Sequence, residues 1–113
     1  MNLFRGDVVE VALDPTIGSE IKKSRRCVIV QRDAANRTSP IVIICPLTDA
    51  GDSAGNLLNV LVPKGVGGTT KASVVVCNQI RAVEKGRVRR QYGALPVDIM
   101  SRIDKGLRLI LDL

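Results

Sequence analysis

A basic loop between two apolar runs holds the residues best suited to chemistry in this chain. The apolar runs are Val8–Leu13 and Cys27–Val30. Between them, the segment Gly18–Arg26 contains four cations, Lys22, Lys23, Arg25 and Arg26. A guanidinium binds phosphate oxygens through paired hydrogen bonds, and an ammonium attracts them as a point charge. The loop therefore predicts an anionic partner.

The charge balance narrows the class of that partner. The chain has 17 Lys and Arg against 11 Asp and Glu, a formal net charge of +6, and no histidine. This excess favours nucleic acid, with a merely basic soluble domain as the alternative. No apolar run reaches the ~18–20 residues of a membrane span and no signal-peptide core is visible, so we expect a cytoplasmic protein.

The three cysteines are expected to be buried, reduced thiols. Cys27, Cys45 and Cys77 lie in Val- and Ile-rich runs, without CxxC spacing and without a histidine to help bind a metal. We therefore expect no metal, no cofactor and no catalytic role for these thiols.

The apolar pattern predicts one domain over residues 1–113, mainly β with a C-terminal helix. Short runs rich in β-branched residues indicate strands. They are Val8–Leu13, Cys27–Val30, Ile41–Cys45, Leu57–Val62, Ala72–Cys77 and Ile80–Val83. After Gly93, apolar residues recur every three and four positions, which predicts an amphipathic helix that reaches Leu111. These elements predict a small, strongly bent antiparallel sheet or barrel, closed or covered by the helix.

The composition also bears on the oligomeric state. Apolar residues make up 45% of the chain, but aromatic residues only 2%. A domain of this size has a limited interior, so part of the apolar content is expected to cover a subunit interface. We therefore predict a homodimer.

Several short motifs stand in a distinctive order along the chain. They are Arg5-Gly6-Asp7-Val8, Asp14-Pro15, Gly18-Ser19-Glu20, Arg26 before Val28-Ile29-Val30, Asn36-Arg37, Pro46-Leu47-Thr48 and Gln79-Ile80-Arg81. In their order and spacing they resemble the MazF/PemK family of toxin endoribonucleases, and the resemblance covers nearly the whole chain.

The resemblance implies a small SH3-like β-barrel with short helices, assembled as a homodimer. It implies cleavage of single-stranded RNA at short sequences without a metal, leaving a 2′,3′-cyclic phosphate and a 5′-hydroxyl, under the control of a cognate antitoxin protein. In that family, the arginine that opens the second strand and the threonine that ends the third form the catalytic pair. These positions are Arg26 and Thr48 in this sequence.

Such cleavage needs a base for the 2′-hydroxyl, stabilisation of charge on the phosphate and an acid for the 5′-oxygen. Arg26 suits charge stabilisation, because its guanidinium stays protonated and fits phosphate oxygens. Thr48 would donate its hydroxyl to a phosphate oxygen or orient the 2′-hydroxyl. Glu20 is the nearest candidate base, and the alternative is a loop acid that pairs with Lys22 or Lys23.

Arg25 and Arg26 are adjacent, so in a strand they point to opposite faces and only one can address the scissile phosphate. Alignment on the following apolar run selects Arg26, although Cys27 stands where such families often have proline. Lys22, Lys23 and Arg25 would then track the RNA backbone, with a solvated loop as the alternative.

Polar residues outside the loop are candidates for base recognition. Ser19, Asn36 and Gln79 can exchange hydrogen bonds with unpaired bases, and the guanidinium plane of Arg81 is a further RNA contact. The two rings of the chain, Phe4 and Tyr92, are expected to fill the core or an interface rather than to stack on bases.

A second basic cluster follows the sixth predicted strand. It consists of Lys85, Arg87, Arg89 and Arg90. These cations would extend an RNA groove, meet an acidic antitoxin segment or form a solvated turn.

Two rival functions fit the same sequence. A non-catalytic nucleic-acid-binding barrel explains the charge, but not the spacing from Ser19 to Arg26 to Thr48. A toxin of similar fold that inhibits a protein such as a topoisomerase would use the C-terminal tail, Leu109–Leu113.

Overall fold

Seven strands and two helices form the part of the chain that the computed structural model describes, residues 1–21, 23–51 and 58–113. The strands are β1 (Asp7–Ala12), β2 (Ser24–Ile29), β3 (Ile41–Asp49), β4 (Asn59–Val62), β5 (Ser73–Val76), β6 (Arg81–Glu84) and β7 (Val88–Ala94). The helices are α1 (Asp33–Thr38) and α2 (Val97–Leu111). Short 3-10 turns cover Val66–Gly68, Cys77–Gln79 and Lys85–Arg87.

The long strand β3 organises the sheet, because it pairs with three other strands. One edge of β3 pairs with β2, where Val28 lies opposite Cys45. The other edge pairs with β6 as far as Ile44 and with β5 from Leu47 onward. Pro46 lies between these two ladders, so its missing N–H removes no hydrogen bond from either of them.

The strand order is β4-β5-β3-β2-β1-β7, with β6 beside β3 off this path, and every pairing is antiparallel. The predicted mainly β fold, with a bent antiparallel sheet and a C-terminal helix, is confirmed. The sheet is not a closed barrel, because β4 and β7 end the path of described strands without pairing with each other.

The predicted strands correspond to β1 to β6 with shifted ends. β2 begins at Ser24, before the apolar run, so Arg25 and Arg26 lie within the strand. β3 runs to Asp49 and therefore includes Thr48. The fourth strand is predicted from Leu57, which lies outside the described residues, and β4 is described from Asn59. Helix α1 and strand β7 are not indicated by the apolar pattern.

Apolar side chains cover both faces of the sheet. The helix-side core consists of Val8, Val28, Val30, Cys45, Leu47, Val60, Val62, Val75, Cys77, Leu95, Ile99, Met100 and Ile103. The opposite core consists of Leu3, Val9, Val11, Leu13, Cys27, Ile29, Val42, Ile44, Val83 and Val88. Because successive strand residues point to opposite faces, these two sets also tell which face each polar neighbour occupies.

Helix α2 covers the helix-side core from its first turn as far as Leu107, which is half-buried against that core. Ile99, Met100 and Ile103 are buried there. The predicted amphipathic helix is confirmed, and its last apolar residues are exposed. The exposed residues are Leu109, Ile110, Leu111 and, just beyond the helix, Leu113.

Candidate active site

Two arginines hold the start of the basic loop in place. Arg81 of β6 donates a hydrogen bond from Nη1 to the Leu13 carbonyl at 3.2 Å. Arg87 donates from Nη1 to the carbonyls of Ala12 and Asp14, at 3.0 and 2.5 Å. The loop therefore leaves β1 in a fixed direction, and Arg81, a predicted RNA contact, uses one of its donors for this purpose.

Hydrogen bonds within the loop fix Glu20. Its Oε1 accepts a hydrogen bond from the Ile17 N–H at 2.8 Å, and its own N–H donates to the Ile17 carbonyl at 3.2 Å. The next residue, Ile21, donates its N–H to Oε1 of Gln79 at 2.8 Å. Glu20 therefore lies close to Gln79, while Ser19 is exposed in the same turn.

The cations of the loop do not pair with Glu20 in the part of the chain described. Lys23 is exposed, and its backbone N–H donates to Oδ1 of Asp14 at 3.0 Å. Among the described residues, ion pairs join other partners and leave Glu20 out. Lys22, predicted to track the RNA backbone, lies outside the described residues.

A groove of about 160 Å³ opens between the basic loop and the sheet. This loop groove is lined by Leu13, Glu20, Ile21, Pro46, Asn78, Gln79, Ile80 and Arg81. Leu13 belongs to the opposite core and Ile21 packs against it, so this part of the groove lies on that face of the sheet, while Ile80 packs against the helix-side core. Three predicted site residues, Glu20, Gln79 and Arg81, meet here.

The sheet register places Arg25 and Thr48 on the same face as the loop groove. Arg25 pairs with Val11, a residue of the opposite core. Cys27 pairs with Pro46, and the same antiparallel register, continued along both strands, sets Arg25 across from Thr48. Arg25 is exposed and Thr48 is half-buried. Thr48 follows Pro46 in β3, and Arg25 lies beside Thr48 in β2. Because Pro46 lines the loop groove, both residues are next to that groove.

Arg26, the predicted catalytic arginine, lies on the other face. It pairs with Glu10 of β1, which is flanked on its own face by Val8 of the helix-side core. The Arg26 guanidinium carbon lies 4.0 Å from the centroid of the Tyr92 ring. Such a cation–π contact is worth about 0.5–1 kcal/mol near a surface. Nε of Arg26 is buried with no hydrogen-bond partner among the described residues, a cost of about 1–3 kcal/mol.

Tyr92 connects Arg26 to Glu10. Its hydroxyl donates to Oε1 of Glu10 at 2.7 Å. This hydrogen bond raises the pKa of the Tyr92 phenol, and partial burial adds to the rise. The guanidinium carbon of Arg90 lies 5.1 Å from the centroid of the same ring. The ring that is predicted to be a filler therefore contacts two cations and one carboxylate.

A second groove, of about 210 Å³, lies beside this cluster. This Arg26 groove is lined by Glu10, Ser24, Arg25, Arg26, Leu47, Thr48, Asp49, Thr69, Thr70, Lys71 and Ser73. Arg25 and Thr48 belong to its lining and also neighbour the loop groove across the strand ends. The two grooves therefore approach each other at this end of β2 and β3.

A close backbone approach fixes the wall of the Arg26 groove next to Tyr92. Gly68 has a φ of +76°, and a Cβ at this position would lie 2.6 Å from the Tyr92 carbonyl oxygen. The adjacent Thr69 is buried, and its hydroxyl donates to the Val66 carbonyl at 2.9 Å. Only glycine fits such an approach, so this turn and β7 hold each other in position.

Asn36, a predicted base contact, is a buried structural residue. It is 3% exposed within α1. Its Nδ2 donates to the Gln31 carbonyl at 2.9 Å and to Oδ1 of Asp33 at 3.1 Å, and its Oδ1 accepts from Nε2 of Gln31 at 3.0 Å. Because both sides of the amide are engaged, Asn36 is not part of the site that we propose below.

The second basic cluster divides into structural and exposed cations. Nζ of Lys85 donates to the Asn36 carbonyl, and Arg87 holds the basic loop. Arg89 and Arg90 are exposed on β7. Two of the four cations therefore stabilise the fold and two remain available to a partner.

Sequence reasoning missed Glu10 and its link to Tyr92. One signal was present in the sequence, because Glu10 is a charged residue within the apolar run Val8–Leu13. In a hairpin such a residue can face a cation on the next strand, as Glu10 faces Arg26. The link itself spans 82 positions and depends on β7, whose polar sequence did not indicate a strand.

Cys27, Cys45 and Cys77 are buried and form no disulfide, so the prediction of buried, unpaired thiols is confirmed.

In residues 1–21, 23–51 and 58–113, no three His, Cys, Asp or Glu side chains gather in a way that could hold a metal ion. No helix in the described chain has the length and apolar character needed to cross a membrane.

Comparison with known proteins extends over almost the entire chain. Residues 4–111 match the model of a family described as PemK-like, MazF-like toxin of type II toxin-antitoxin system. Endoribonuclease MazF of Staphylococcus epidermidis is 35% identical over 109 residues, which cover 96% of this chain and 91% of the relative. Endoribonuclease EndoA of Bacillus subtilis (strain 168) is 31% identical over 113 residues, which cover 100% and 97%.

A solved structure shares the fold. The crystal structure of MazF (Form-I) from Deinococcus radiodurans superposes with a TM-score of 0.86 at 21% sequence identity. The superposition covers 100% of this chain and 99% of that one. At this identity the likeness concerns the architecture of the sheet and helices.

Proposed function

The chain belongs to the family of PemK-like, MazF-like toxins of type II toxin-antitoxin systems, and on that premise we propose that it is a toxin endoribonuclease acting on single-stranded RNA. The two relatives that bear the name endoribonuclease support this activity, since each aligns with at least 96% of the chain. The net charge of +6 suits a polyanionic substrate. The products would be a 2′,3′-cyclic phosphate and a 5′-hydroxyl.

One observation carries the proposal about the site. Arg25, Thr48, Glu20 and Gln79 occupy one face of the sheet, at or beside the loop groove. A carboxylate in the wall of the loop groove, with a guanidinium and a hydroxyl beside it, supplies the groups that RNA cleavage by the 2′-hydroxyl requires.

We assign phosphate binding to Arg25 rather than to Arg26. Arg25 is exposed and shares its face with Thr48, whereas Arg26 stacks on Tyr92 on the other face. The Arg25 guanidinium can donate two hydrogen bonds to non-bridging phosphate oxygens, which gain charge as the transition state forms. Thr48 would donate its hydroxyl to the same phosphate.

Glu20 is the proposed base. Its Oε1 accepts the Ile17 N–H at 2.8 Å, and this hydrogen bond holds the carboxylate at the groove wall. In the proposed step, Glu20 takes the proton of the 2′-hydroxyl, the 2′-oxygen bonds to phosphorus, and the bond from phosphorus to the 5′-oxygen breaks. The released 5′-oxygen then takes a proton from water, and the hydroxide that remains takes the proton from Glu20, which restores the carboxylate. The step uses no metal ion.

The remaining loop residues would guide the RNA strand. Lys22 and Lys23 are proposed to contact backbone phosphates near the scissile one. Ser19, Gln79 and Arg81 would contact nucleotides that enter the loop groove, and Ser19 is exposed for this role.

The proposal is tested with purified protein and a pool of random single-stranded RNA in the presence of EDTA. We expect cleavage by the wild type, with 2′,3′-cyclic phosphate ends, and a loss of roughly 100-fold or more in Arg25→Ala. Arg32→Ala is the matched control, because Arg32 is an exposed arginine outside both grooves, and it should cleave like the wild type.

Three results would contradict parts of this proposal. RNA binding without cleavage, with a steep dependence on salt, would indicate a non-catalytic nucleic-acid-binding protein. Cleavage that is abolished by EDTA and restored by a divalent cation would reject the metal-independent step. Equal activity of Arg25→Ala and Arg32→Ala would remove Arg25 from the site.

We further propose two protein partners. A second copy of the chain would cover the apolar end of α2, where Leu109 and Leu113 are 60% and 86% exposed. A cognate antitoxin is the partner that the family membership implies. The exposed cations Arg89 and Arg90 offer an acidic antitoxin segment a surface for docking.

A further inference from the structure

The Arg26 groove contains a fixed set of polar groups that the proposed cleavage step does not use. Arg26, Tyr92 and Glu10 form a chain of contacts, with 4.0 Å between guanidinium carbon and ring centroid and 2.7 Å between phenol oxygen and carboxylate. Glu10 and Arg26 line the groove directly. None of these three groups lines the loop groove.

We infer that the Arg26 groove is a nucleobase subsite, in which the base of an RNA nucleotide next to the scissile phosphate stacks on Arg26 and is read by Glu10. This inference rests on the proposed endoribonuclease function. It adds a specificity site beside Arg26 and Glu10, at the strand ends where Arg25 and Thr48 also line the groove.

The position of Arg26 suits stacking. The ring of Tyr92 holds the guanidinium in one place, and Arg26 remains half-exposed beside the groove. Its buried Nε has no hydrogen-bond partner among the described residues, so stacking rather than a polar contact sets the side-chain position. A flat guanidinium is a known platform for unpaired bases.

Glu10 supplies the chemical discrimination. Its Oε1 accepts the Tyr92 hydroxyl, which orients the carboxylate, and Glu10 forms no ion pair with a described residue, although its cross-strand partners are Arg26 and Arg90. The carboxylate can accept two parallel hydrogen bonds. Guanine is the standard base with two adjacent donors on its Watson–Crick edge, N1–H and the N2 amino group, so we assign guanine to this subsite.

Arg25 and Thr48 connect the subsite to the scissile phosphate. Both are proposed phosphate contacts, and both also line the Arg26 groove. An RNA strand held by these two residues can place one neighbouring nucleotide in the loop groove and the other in the Arg26 groove. The volume of about 210 Å³ lies below that of pockets for drug-sized ligands and suits a single base.

Binding selection tests the subsite without requiring cleavage. The probe is a pool of short single-stranded RNAs, random at every position and 2′-O-methylated so that no 2′-hydroxyl can attack. Wild-type protein should enrich guanine at one position, and Glu10→Gln should reduce that enrichment roughly tenfold while other positions stay unchanged. Glu84→Gln is the control, since it removes the same charge from an exposed position in β6.

Cleavage of an unmodified random pool supplies the second measurement. Sequencing the ends should show the same guanine position in wild type and its loss in Glu10→Gln, with total cleavage retained. No guanine enrichment, enrichment that survives Glu10→Gln, or a parallel loss at all positions would overturn the subsite. Guanine selection without any cleavage would support the subsite and reject the proposed nuclease, so the two failures are distinguishable. Thermal melting confirms that each variant is folded.

Discussion

Arg25 and Arg26 are neighbours in sequence but occupy opposite faces of β2, where Arg25 pairs with Val11 and Arg26 with Glu10. Their surroundings differ accordingly. Arg25 is exposed beside Thr48, and Arg26 lies 4.0 Å from the ring centroid of Tyr92. The two adjacent arginines therefore face two different surfaces, so substituting them one at a time can separate their roles.

Replacing each arginine by lysine should affect different kinetic parameters. Lysine keeps the charge but loses the paired donors that fit two phosphate oxygens. We expect Arg25→Lys to lower kcat roughly 10- to 100-fold and Arg26→Lys to raise KM with kcat within about threefold. Steady-state cleavage of one guanine-containing RNA measures both parameters. The assignment fails if Arg26→Lys produces the larger fall in kcat.

Thr48 should act through its hydroxyl. Valine has nearly the same shape, and Thr48 already pairs with Val74 in β5, so Thr48→Val should preserve the strand. We expect this variant to lose roughly 100-fold in kcat, the effect of removing one preorganised donor. Thr48→Ser keeps the hydroxyl and should recover most of the activity. Similar losses in the valine and serine variants would indicate a packing role instead.

Much of the fold can be predicted from the sequence, because the buried strands are continuous β-branched runs. Val8–Leu13 and Ile41–Cys45 each correspond to a strand, and the period of three and four residues correctly indicates α2. Strand β7 escapes this reasoning. It is a terminal strand with most residues exposed, so its sequence has no apolar run, and Val88 anchors it in the opposite core.

The site is less predictable, because it depends on register. The choice between Arg25 and Arg26 requires knowing that β3 continues past Pro46, whereas a proline in a sequence pattern argues against a central strand. The change of partner from β6 to β5 at this point explains why proline is tolerated. Asn36 is a second residue whose role the sequence does not predict. Its burial depends on hydrogen bonds with Gln31, which no local sequence pattern indicates.

Arg87 should be a positioning residue for the basic loop. Its two hydrogen bonds to the Ala12 and Asp14 carbonyls hold the start of that loop. We expect Arg87→Ala to destabilise the protein by about 1–3 kcal/mol, the usual cost of losing charged hydrogen bonds. Hydrogen exchange at the Leu13 amide, which donates to the Lys23 carbonyl, should accelerate at least tenfold.

Arg89→Ala is the control for this experiment. Arg89 is an exposed cation on the adjacent strand, and its loss changes the net charge by the same amount. Its exchange rates should equal those of the wild type. Unchanged exchange at Leu13 in Arg87→Ala would show that the two hydrogen bonds do not position the loop.

The apolar end of α2 should form the dimer interface. Leu109 is 60% exposed, and Val97, at the other end of the same helix, is 86% exposed. We expect a wild-type dimer at micromolar concentration by light scattering, and a monomer for Leu109→Lys, because a buried, unpaired ammonium opposes association. Val97→Lys should remain dimeric. A monomeric wild type, or dissociation by Val97→Lys alone, would exclude this interface.

Burial of Cys27 should make stability fall at alkaline pH. Burial raises the pKa of the Cys27 thiol to about 12, although the nearby Arg81 opposes the rise. In the unfolded chain, the pKa of a cysteine thiol is about 8.5. Because the folded pKa is the higher one, this stabilisation is complete below about pH 8.5 and is lost as the pH rises toward 12. The loss amounts to at most about 1.4 kcal/mol per pH unit for this thiol.

Urea denaturation between about pH 8 and 10.5 measures this slope. In Cys27→Ala, the free energy of unfolding should be lower at neutral pH because of the cavity, but it should fall less steeply with pH, since one titrating group is absent. The thiol also donates to the Arg25 carbonyl at 3.6 Å, so its neutral form helps to fix the backbone at the proposed phosphate-binding arginine. As the pH is raised, the cleavage rate of the wild type should therefore fall only in the pH range in which the protein unfolds. Identical slopes for wild type and Cys27→Ala would show that the Cys27 thiol ionises equally in the folded and unfolded chain.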